Sequence, residues 1–233
     1  MILRSNYNQA MKVKALHDWQ VTKSEARAIQ QRLASLVSIK NEVTSPQFIA
    51  GVDISPPTAQ GIATGVVVVL SYPQLRVVEI KVSKQLVSFP YIPGLLSFRE
   101  SPLILTACQE LTIAPELILV DGQGIAHPRR LGLASHLGLL LDMPTIGCAK
   151  SRLCGSHEPI GTVRGSFAEL RDGDEVIGVA LRTKEGANPV YISIGHKVDL
   201  DTAIFWAMEC CRGYKIPEPT RLAHLAAAGR LER

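Results

Sequence analysis

Two apolar runs in this chain each end in a lone aspartate. Residues 48–52 precede Asp53, and residues 117–120 precede Asp121, which is followed by a glycine turn. Short runs rich in Val, Ile and Leu are typical of buried strands. Two carboxylates held at strand ends would repel each other unless a cation neutralised them, and Mg²⁺ prefers such hard oxygen ligands. The pattern therefore predicts metal-assisted chemistry.

An aspartate that follows a strand also has a simpler explanation. Its side chain often bonds nearby backbone N–H groups, as a turn former or a helix cap. Turn formation explains Asp53 or Asp121 taken singly as well as chemistry does. It explains the pair less easily.

The composition is that of an ordinary globular protein. The chain has 233 residues, of which 46% are hydrophobic and 20% charged, with a net charge of +4 that permits nucleic-acid binding without requiring it. Its five cysteines are odd in number and lack C-x-x-C spacing, which argues against a disulfide framework or a zinc site. We expect an extension over residues 1–14 and one catalytic domain over residues 15–233.

No segment of the sequence is typical of a membrane or secreted protein. The longest apolar stretch, residues 66–70, is too short to cross a bilayer, and the N-terminus lacks the apolar core of a secretory signal. We expect a cytoplasmic monomer that does not contact membranes.

Periodicity predicts a mixed α/β sheet with helices on its faces. A helix is expected at about 23–36, capped by Thr22, followed by an antiparallel three-strand meander at about 47–54, 62–72 and 76–86. Parallel strand–helix crossovers are expected next, from a helix near 97–111, a strand at 117–121, a helix near 131–141 and a strand at 145–149. The remaining predicted elements are a hairpin of residues 175–183 and 189–194 and a helix at 201–212. Ligands of such sheets gather at the carboxyl ends of strands, so Asp53, Asp121 and Lys150 should lie close together.

A short loop between the two aspartates has the features of a rigid protrusion. Pro90 and Pro93 flank Tyr91 and Ile92, and Gly94 permits a sharp exit. An aromatic side chain at a rigid tip can wedge into a base stack. The alternative is that Tyr91 packs against the body of the domain, as tyrosines commonly do.

Four long motifs, in order, resemble endonuclease V, the deoxyinosine-directed nuclease. They are F-P-Y-I-P-G-L-L-S-F-R-E at 89–100, V-D-G-Q-G-I-A-H-P-R-R-L-G-L-A-S-H at 120–136, P-T-I-G-C-A-K-S-R-L at 144–153 and I-P-E-P-T-R-L-A-H at 216–224. The similarity runs from about residue 15 to about residue 225. It implies a ribonuclease H-like fold and Mg²⁺-dependent cleavage, with Mn²⁺ as a substitute. The implied cut is at the second phosphodiester bond 3′ to deoxyinosine and leaves a 3′-hydroxyl and a 5′-phosphate.

The same resemblance implies roles for particular residues. Metal binding falls to Asp53, Glu100 and Asp121, and catalysis to these three with Lys150 at the scissile phosphate and His224 near the attacking water or a second metal. The implied strand-separating wedge is Tyr91, Ile92 and Pro93, and the implied phosphate contacts are Lys150, Ser151 and Arg129. The implied pocket for the lesion base consists of Gly94, Leu96, Gly122, Gly124, His127, Leu133, Gly147 and Ala149.

Other functions remain open on the sequence alone. The partner implied is DNA containing deoxyinosine, but a ribonuclease acting on inosine in single-stranded RNA would carry the same motifs. A non-catalytic nucleic-acid-binding protein of the same fold is a further alternative, although all three carboxylates are present. Sugar-kinase and actin-like ATPases also begin with a strand ending in G-x-D, but the second Gly-rich phosphate loop that they need is not found here.

Overall fold

One mixed sheet of eight strands organises the chain. The computed structural model describes residues 11–231, and the strands within them are β1 (Phe48–Ile54), β2 (Ile62–Ser71), β3 (Arg76–Leu86), β4 (Leu117–Val120), β5 (Thr145–Ala149), β6 (Phe167–Asp172), β7 (Glu175–Leu181) and β8 (Val190–His196). Their order across the sheet is β3-β2-β1-β4-β5-β8-β7-β6. The central strands β1, β4 and β5 are parallel, and all other neighbours are antiparallel. The predicted mixed sheet, with its meander and its parallel crossovers, is confirmed.

Residues 11–231 contain five helices, four of which cover the two faces of the sheet. They are α1 (Lys23–Ala34), α2 (Leu96–Gln109), α3 (Leu133–Leu141), α4 (Leu200–Glu209) and α5 (Glu218–Ala227). Helices α2 and α3 bury one face in a cluster that includes Val52, Val67 and Leu137, and α4 and α5 bury the other with Val68, Ile192 and Trp206. The parallel strands are buried on both sides, which explains why their sequences are continuous apolar runs.

The start of α1 follows from its local sequence. The backbone N–H of Glu25 donates to the Thr22 hydroxyl at 3.3 Å, and the Glu25 carboxylate accepts from the Thr22 backbone N–H at 2.7 Å. This reciprocal capping box satisfies two N–H groups that the helix cannot satisfy itself. The predicted cap is therefore present, although the helix ends at Ala34 rather than at residue 36.

Strand β6 and helix α5 were not among the predicted elements. Strand β6 is an edge strand with a single buried residue, Leu170, so it lacks a clear apolar alternation. Helix α5 begins in a proline-rich segment, and Pro219 lies in its first turn, where a missing N–H costs nothing. Helix α3 begins at Leu133 rather than near residue 131.

The predicted extension over residues 1–14 lies mostly outside the described residues. Within the described part, the Lys14 N–H donates to the Leu140 carbonyl at 2.7 Å, and the Lys14 ammonium lies 3.0 Å from the Asp142 carboxylate. Residues 11–14 therefore contact α3. In the part of the chain that the structure describes, no helix is long and apolar enough to span a bilayer.

Candidate active site

The two aspartates at strand ends come together because their strands are neighbours. Strands β1 and β4 run parallel with Val52 opposite Val120, so Asp53 and Asp121 follow at the same level of the sheet. Their side chains are only 12% and 11% exposed. This is the convergence that the topology predicts.

Helix α5 supplies a third group to the same place. It packs against β1, and the Nδ1 atom of His224 lies 2.8 Å from the Asp53 carboxylate. An ionised carboxylate only accepts hydrogen bonds, so Nδ1 is the donor in this bond, and a neutral ring keeps a lone pair on Nε2. Ligand atoms of Asp53, Asp121 and His224 all lie within 4.8 Å of one another.

Glu100 lies beside this group rather than inside it. It projects from the second turn of α2 and lines the same cavity as the two aspartates. Burial raises the pKa of the Glu100 carboxyl to about 7; the negative charges of Asp53 and Asp121 raise it as well, and Arg99 lowers it. The Glu100 carboxyl therefore holds its proton below about pH 7.

Lys150 provides a positive charge at the same edge. It follows β5, which pairs with β4, and its ammonium forms an ion pair with the Asp121 carboxylate. Burial raises the pKa of Asp121, and Lys150 partly offsets that effect. Lys150 thus lies at the same cavity as three acidic side chains, those of Asp53, Glu100 and Asp121.

The donor set fits a divalent cation of the magnesium type. Partly buried carboxylates offer hard oxygen ligands, and the charges of Asp53 and Asp121 add to the burial that raises the pKa of Glu100. A bound cation would reduce the repulsion between these carboxylates. The Lys150 ammonium, which pairs with Asp121, already supplies one positive charge there. Asp53 and Asp121 are the residues that could hold it, with Glu100 adjacent and the His224 ring within reach of both aspartates.

A cavity of about 410 Å³ opens from this acidic group. Its size lies in the range of small-molecule sites. The predicted site residues that line it, in addition to the three carboxylates, are Tyr91, Pro93, Gly94, Leu96, Gly122, His127, Leu133, Ala149, Lys150 and Ser151. Most of the predicted metal, base-pocket and wedge residues therefore border one connected space. The predicted site residues that do not line it are Ile92, Gly124, Arg129, Gly147 and His224.

Two helix N-termini converge on this cavity. Leu96 begins α2 and Leu133 begins α3, and both line the space. Neither helix has a side-chain cap, because Leu95 and Gly132 stand at the two cap positions. Helix N-termini carry N–H groups without intrahelical acceptors, so the first turns of α2 and α3 could offer donors to a carbonyl oxygen in the cavity. One of these groups, the Ala134 N–H, already donates to the Gln123 carbonyl at 2.9 Å.

Gly124 and Gly147 lie beneath the cavity rather than on its wall. A Cβ on Gly147 would lie 2.5 Å from the Gly124 nitrogen and 2.7 Å from the Gly122 oxygen. A Cβ on Gly124 would lie 1.9 Å from the Ile194 oxygen. Both glycines therefore allow the 122–124 loop to lie directly on β5 and β8, which is a packing role rather than the predicted contact with the base.

The tip of the proline-flanked loop is exposed, whereas its base packs against the protein. Tyr91 is 69% exposed, whereas Ile92 turns inward and packs with Ala26, Phe89 and Phe98. The Arg99 guanidinium donates to the Phe89 carbonyl at 2.9 Å. Tyr91 is therefore free to contact a ligand, and Ile92 anchors the loop.

Arg129 and Ser151 differ in how free they are to contact a phosphate. The Arg129 guanidinium donates to the Gln30 side-chain oxygen at 2.6 Å and to the Gly94 carbonyl at 2.7 Å, and Arg129 does not line the cavity. Ser151 is exposed at the rim, and its carbonyl accepts from the Gln123 amide at 2.9 Å.

Several residues around the cavity were not predicted from the sequence: Gln30, Ile54, Ser97, Gln123, Gly132, Arg152 and Leu153. All of them except Gln30 and Ile54 lie inside the four motifs quoted above, so the motifs themselves were a usable signal. Gln30 lies on α1, far from every motif in the chain, and no local pattern marks it.

Comparison with known proteins gives a consistent result. Residues 31–225 match the family model described as Endonuclease V. Endonuclease V of Dehalococcoides mccartyi is 50% identical over 218 residues, covering 94% of this chain and 98% of that protein. The crystal structure of endonuclease V from Streptomyces avermitilis has a TM-score of 0.86 at 42% identity and covers 95% of this chain and 97% of that one.

A structural neighbour from Ciona intestinalis contains nucleic acid. That endonuclease V, described as a complex with a 24mer DNA containing an inosine followed by a ribo-adenosine, has a TM-score of 0.76 at 27% identity. It covers 88% of this chain and 95% of the Ciona chain.

The sheet order, the helices on both faces and the acidic groups at adjacent strand ends define a ribonuclease H-like nuclease fold. Within that class, the chain belongs to the endonuclease V family. It is therefore a nuclease.

Proposed function

We propose that this protein is a Mg²⁺-dependent endonuclease that recognises deoxyinosine in DNA. The nick falls at the second phosphodiester bond 3′ to the lesion and leaves a 3′-hydroxyl and a 5′-phosphate. One observation carries the proposal: the acidic group lies at one side of a cavity. The first residues of two helices that lack a side-chain cap line the same cavity. The inosine-containing DNA in the Ciona relative supports the choice of ligand.

The chemistry of the cavity suits hypoxanthine. This base differs from adenine in having a carbonyl oxygen at C6 and a proton on N1. The N–H groups at the starts of α2 and α3 can donate to such an oxygen, whereas the amino group of adenine would oppose them. The base must leave the stack to enter, and an inosine mispair costs less to open than a Watson–Crick pair.

The acidic group supplies the machinery for phosphodiester hydrolysis. Magnesium, when bound there, would polarise the phosphoryl oxygens and lower the pKa of a bound water. Asp53 orients the His224 ring through the 2.8 Å bond to Nδ1, and the free Nε2 atom can accept a proton from the attacking water. Lys150 can leave Asp121 for the scissile phosphate and offset the negative charge that develops there.

The exposed tip of the loop suits strand separation. Tyr91 has the aromatic surface needed to replace stacking when the lesion base is extruded. Because Ile92 and the Arg99 bond to Phe89 hold the base of the loop, little ordering is needed on binding.

A nicking assay tests the proposal. The substrate is an end-labelled duplex with a single deoxyinosine, incubated with Mg²⁺ or with EDTA, and the product is sized against synthetic markers. We expect one product with Mg²⁺ that ends one nucleotide 3′ to the lesion, and none with EDTA. Cleavage that persists in EDTA, or equal cleavage of a matched adenine duplex, would overturn it.

The same assay decides between DNA and RNA. Inosine in duplex DNA, single-stranded DNA and single-stranded RNA is compared at equal concentrations. Faster cleavage of the RNA would assign the protein to inosine-directed ribonucleases instead.

A further inference from the structure

The carbonyl oxygen of Gly94 accepts hydrogen bonds from three different side chains. The Gln30 amide donates at 3.0 Å, the His127 Nε2 atom at 3.0 Å and the Arg129 guanidinium at 2.7 Å. Gly94 has φ +76 and forms the exit of the loop that carries Tyr91. These three hydrogen bonds hold the Gly94 carbonyl in place, at the point where the loop joins the wall of the cavity.

Gln30 links this point to the rest of the site. Its amide nitrogen also donates to the Leu131 carbonyl at 3.1 Å, and its oxygen accepts from Arg129 at 2.6 Å. The orientation of the amide is thus determined, because both carbonyls require donors and the guanidinium requires an acceptor. Gln30 is 1% exposed, so its bonds do not compete with water.

His127 belongs to the same network. Its Nδ1 atom accepts from the Arg129 backbone N–H at 3.1 Å, which makes Nε2 the protonated nitrogen that donates to Gly94. Both ring nitrogens are therefore used inside the protein. Burial lowers the pKa of His127 to about 4, in agreement with a neutral ring.

We propose that Gln30 is a positioning residue that holds the Tyr91 loop against the wall of the base cavity. Tyr91 then separates the strands at the point from which the extruded base can enter the cavity. This inference rests on the proposed function above. Helix α1 acts as the support: Ala26 and Ile29 pack against the base of the loop, and Gln30 adds the polar attachment. Without it, the loop would keep its apolar anchor, but the Gly94 carbonyl would lose one of its three donors and Arg129 would lose the acceptor that orients its guanidinium.

The chain offers a well-matched set of variants. Gln30→Glu keeps the volume and the acceptor for Arg129 but removes both amide donors. Gln30→Ala removes all three bonds. Gln31→Ala is the control, because Gln31 is the next residue of the same helix and is exposed.

The first readout is hydrogen exchange of the free protein, which does not depend on nuclease activity. We expect both Gln30 variants to speed exchange in residues 89–98, where the Leu95 N–H bonds the Ile92 carbonyl, and to leave β7 unchanged. Gln31→Ala should match the wild type. Unchanged exchange in residues 89–98 would overturn the inference whatever the enzyme cleaves.

The second readout is the ratio of single-turnover cleavage on duplex and on single-stranded inosine DNA. Only the duplex requires a wedge, so the Gln30 variants should lose roughly 5- to 30-fold on the duplex relative to the single strand, the equivalent of one or two net hydrogen bonds. Equal loss on both substrates would show a general structural role and overturn the inference. If the wild-type protein cleaves neither substrate, the proposed function is refuted. The hydrogen-exchange result then decides whether Gln30 positions the loop.

Discussion

Replacing Gly51 by alanine should separate His224 from Asp53. An added Cβ on Gly51 would lie 1.9 Å from the Pro219 oxygen and 2.7 Å from the Thr220 nitrogen, both backbone atoms of α5. Backbone cannot rotate aside as a side chain can, so α5 must move away from β1 by about 1 Å to reach the 3.0 Å limit of real contacts.

The size of the effect follows from this displacement. His224 is carried by the helix that moves, and Asp53 by the strand that stays, so their 2.8 Å hydrogen bond is lost. Overpacking of this kind costs about 1–3 kcal/mol of stability. A misplacement of about 1 Å can slow catalysis roughly 100-fold.

The assay combines denaturant unfolding with single-turnover nicking of inosine duplex at a temperature where both variants are folded. Gly178→Ala is the matched control, because its Cβ would lie 2.4 Å from the Ile192 oxygen in a part of the sheet that does not line the cavity. We expect both variants to lose stability and only Gly51→Ala to lose activity. Wild-type nicking by folded Gly51→Ala, or an equal loss in Gly178→Ala, would refute the reasoning.

Four further outcomes are expected. Asp121→Ala should abolish nicking and retain binding of inosine DNA in a gel-shift assay; full turnover would exclude it as a ligand. Tyr91→Ala should weaken duplex binding more than it slows cleavage of the saturated complex, and the reverse order would argue against a wedge. Lys150→Ala should slow cleavage about 100-fold with the Mg²⁺ requirement little changed, so rescue by excess Mg²⁺ alone would contradict a phosphate contact. Burial lowers the pKa of His136 to about 3, so this ring stays neutral when folded but binds a proton in the unfolded chain below about pH 6.5. Stability should therefore fall as pH decreases from 6.5, by up to about 1.4 kcal/mol per pH unit, and His136→Gln should flatten that slope in denaturant titrations.

The sequence predicts the centre of this fold well because the central strands carry a strong signal. Strands β1, β4 and β5 are apolar runs buried on both faces, and their ends place Asp53, Asp121 and Lys150 along one edge. Periodicity and topology alone were therefore enough to bring these three together.

The remaining parts of the site depend on contacts that no local pattern encodes. Helix α5 places His224 beside Asp53 only because Gly51 lets the helix approach, a feature visible only once both elements are in place. Gln30 reaches Gly94 across 64 positions of sequence through a buried amide that resembles any surface glutamine in the sequence. Strand β6 is exposed at an edge and carries too little apolar pattern to be recognised.

The proposed cleavage requires a divalent cation bound among the acidic side chains at the cavity edge. Anomalous diffraction from crystals of the protein with Mn²⁺ and inosine DNA measures this directly. We expect a peak about 2.2 Å from carboxylate oxygens of Asp53 and Asp121. A map with no peak at these residues, from crystals in which the DNA is bound, would contradict the account.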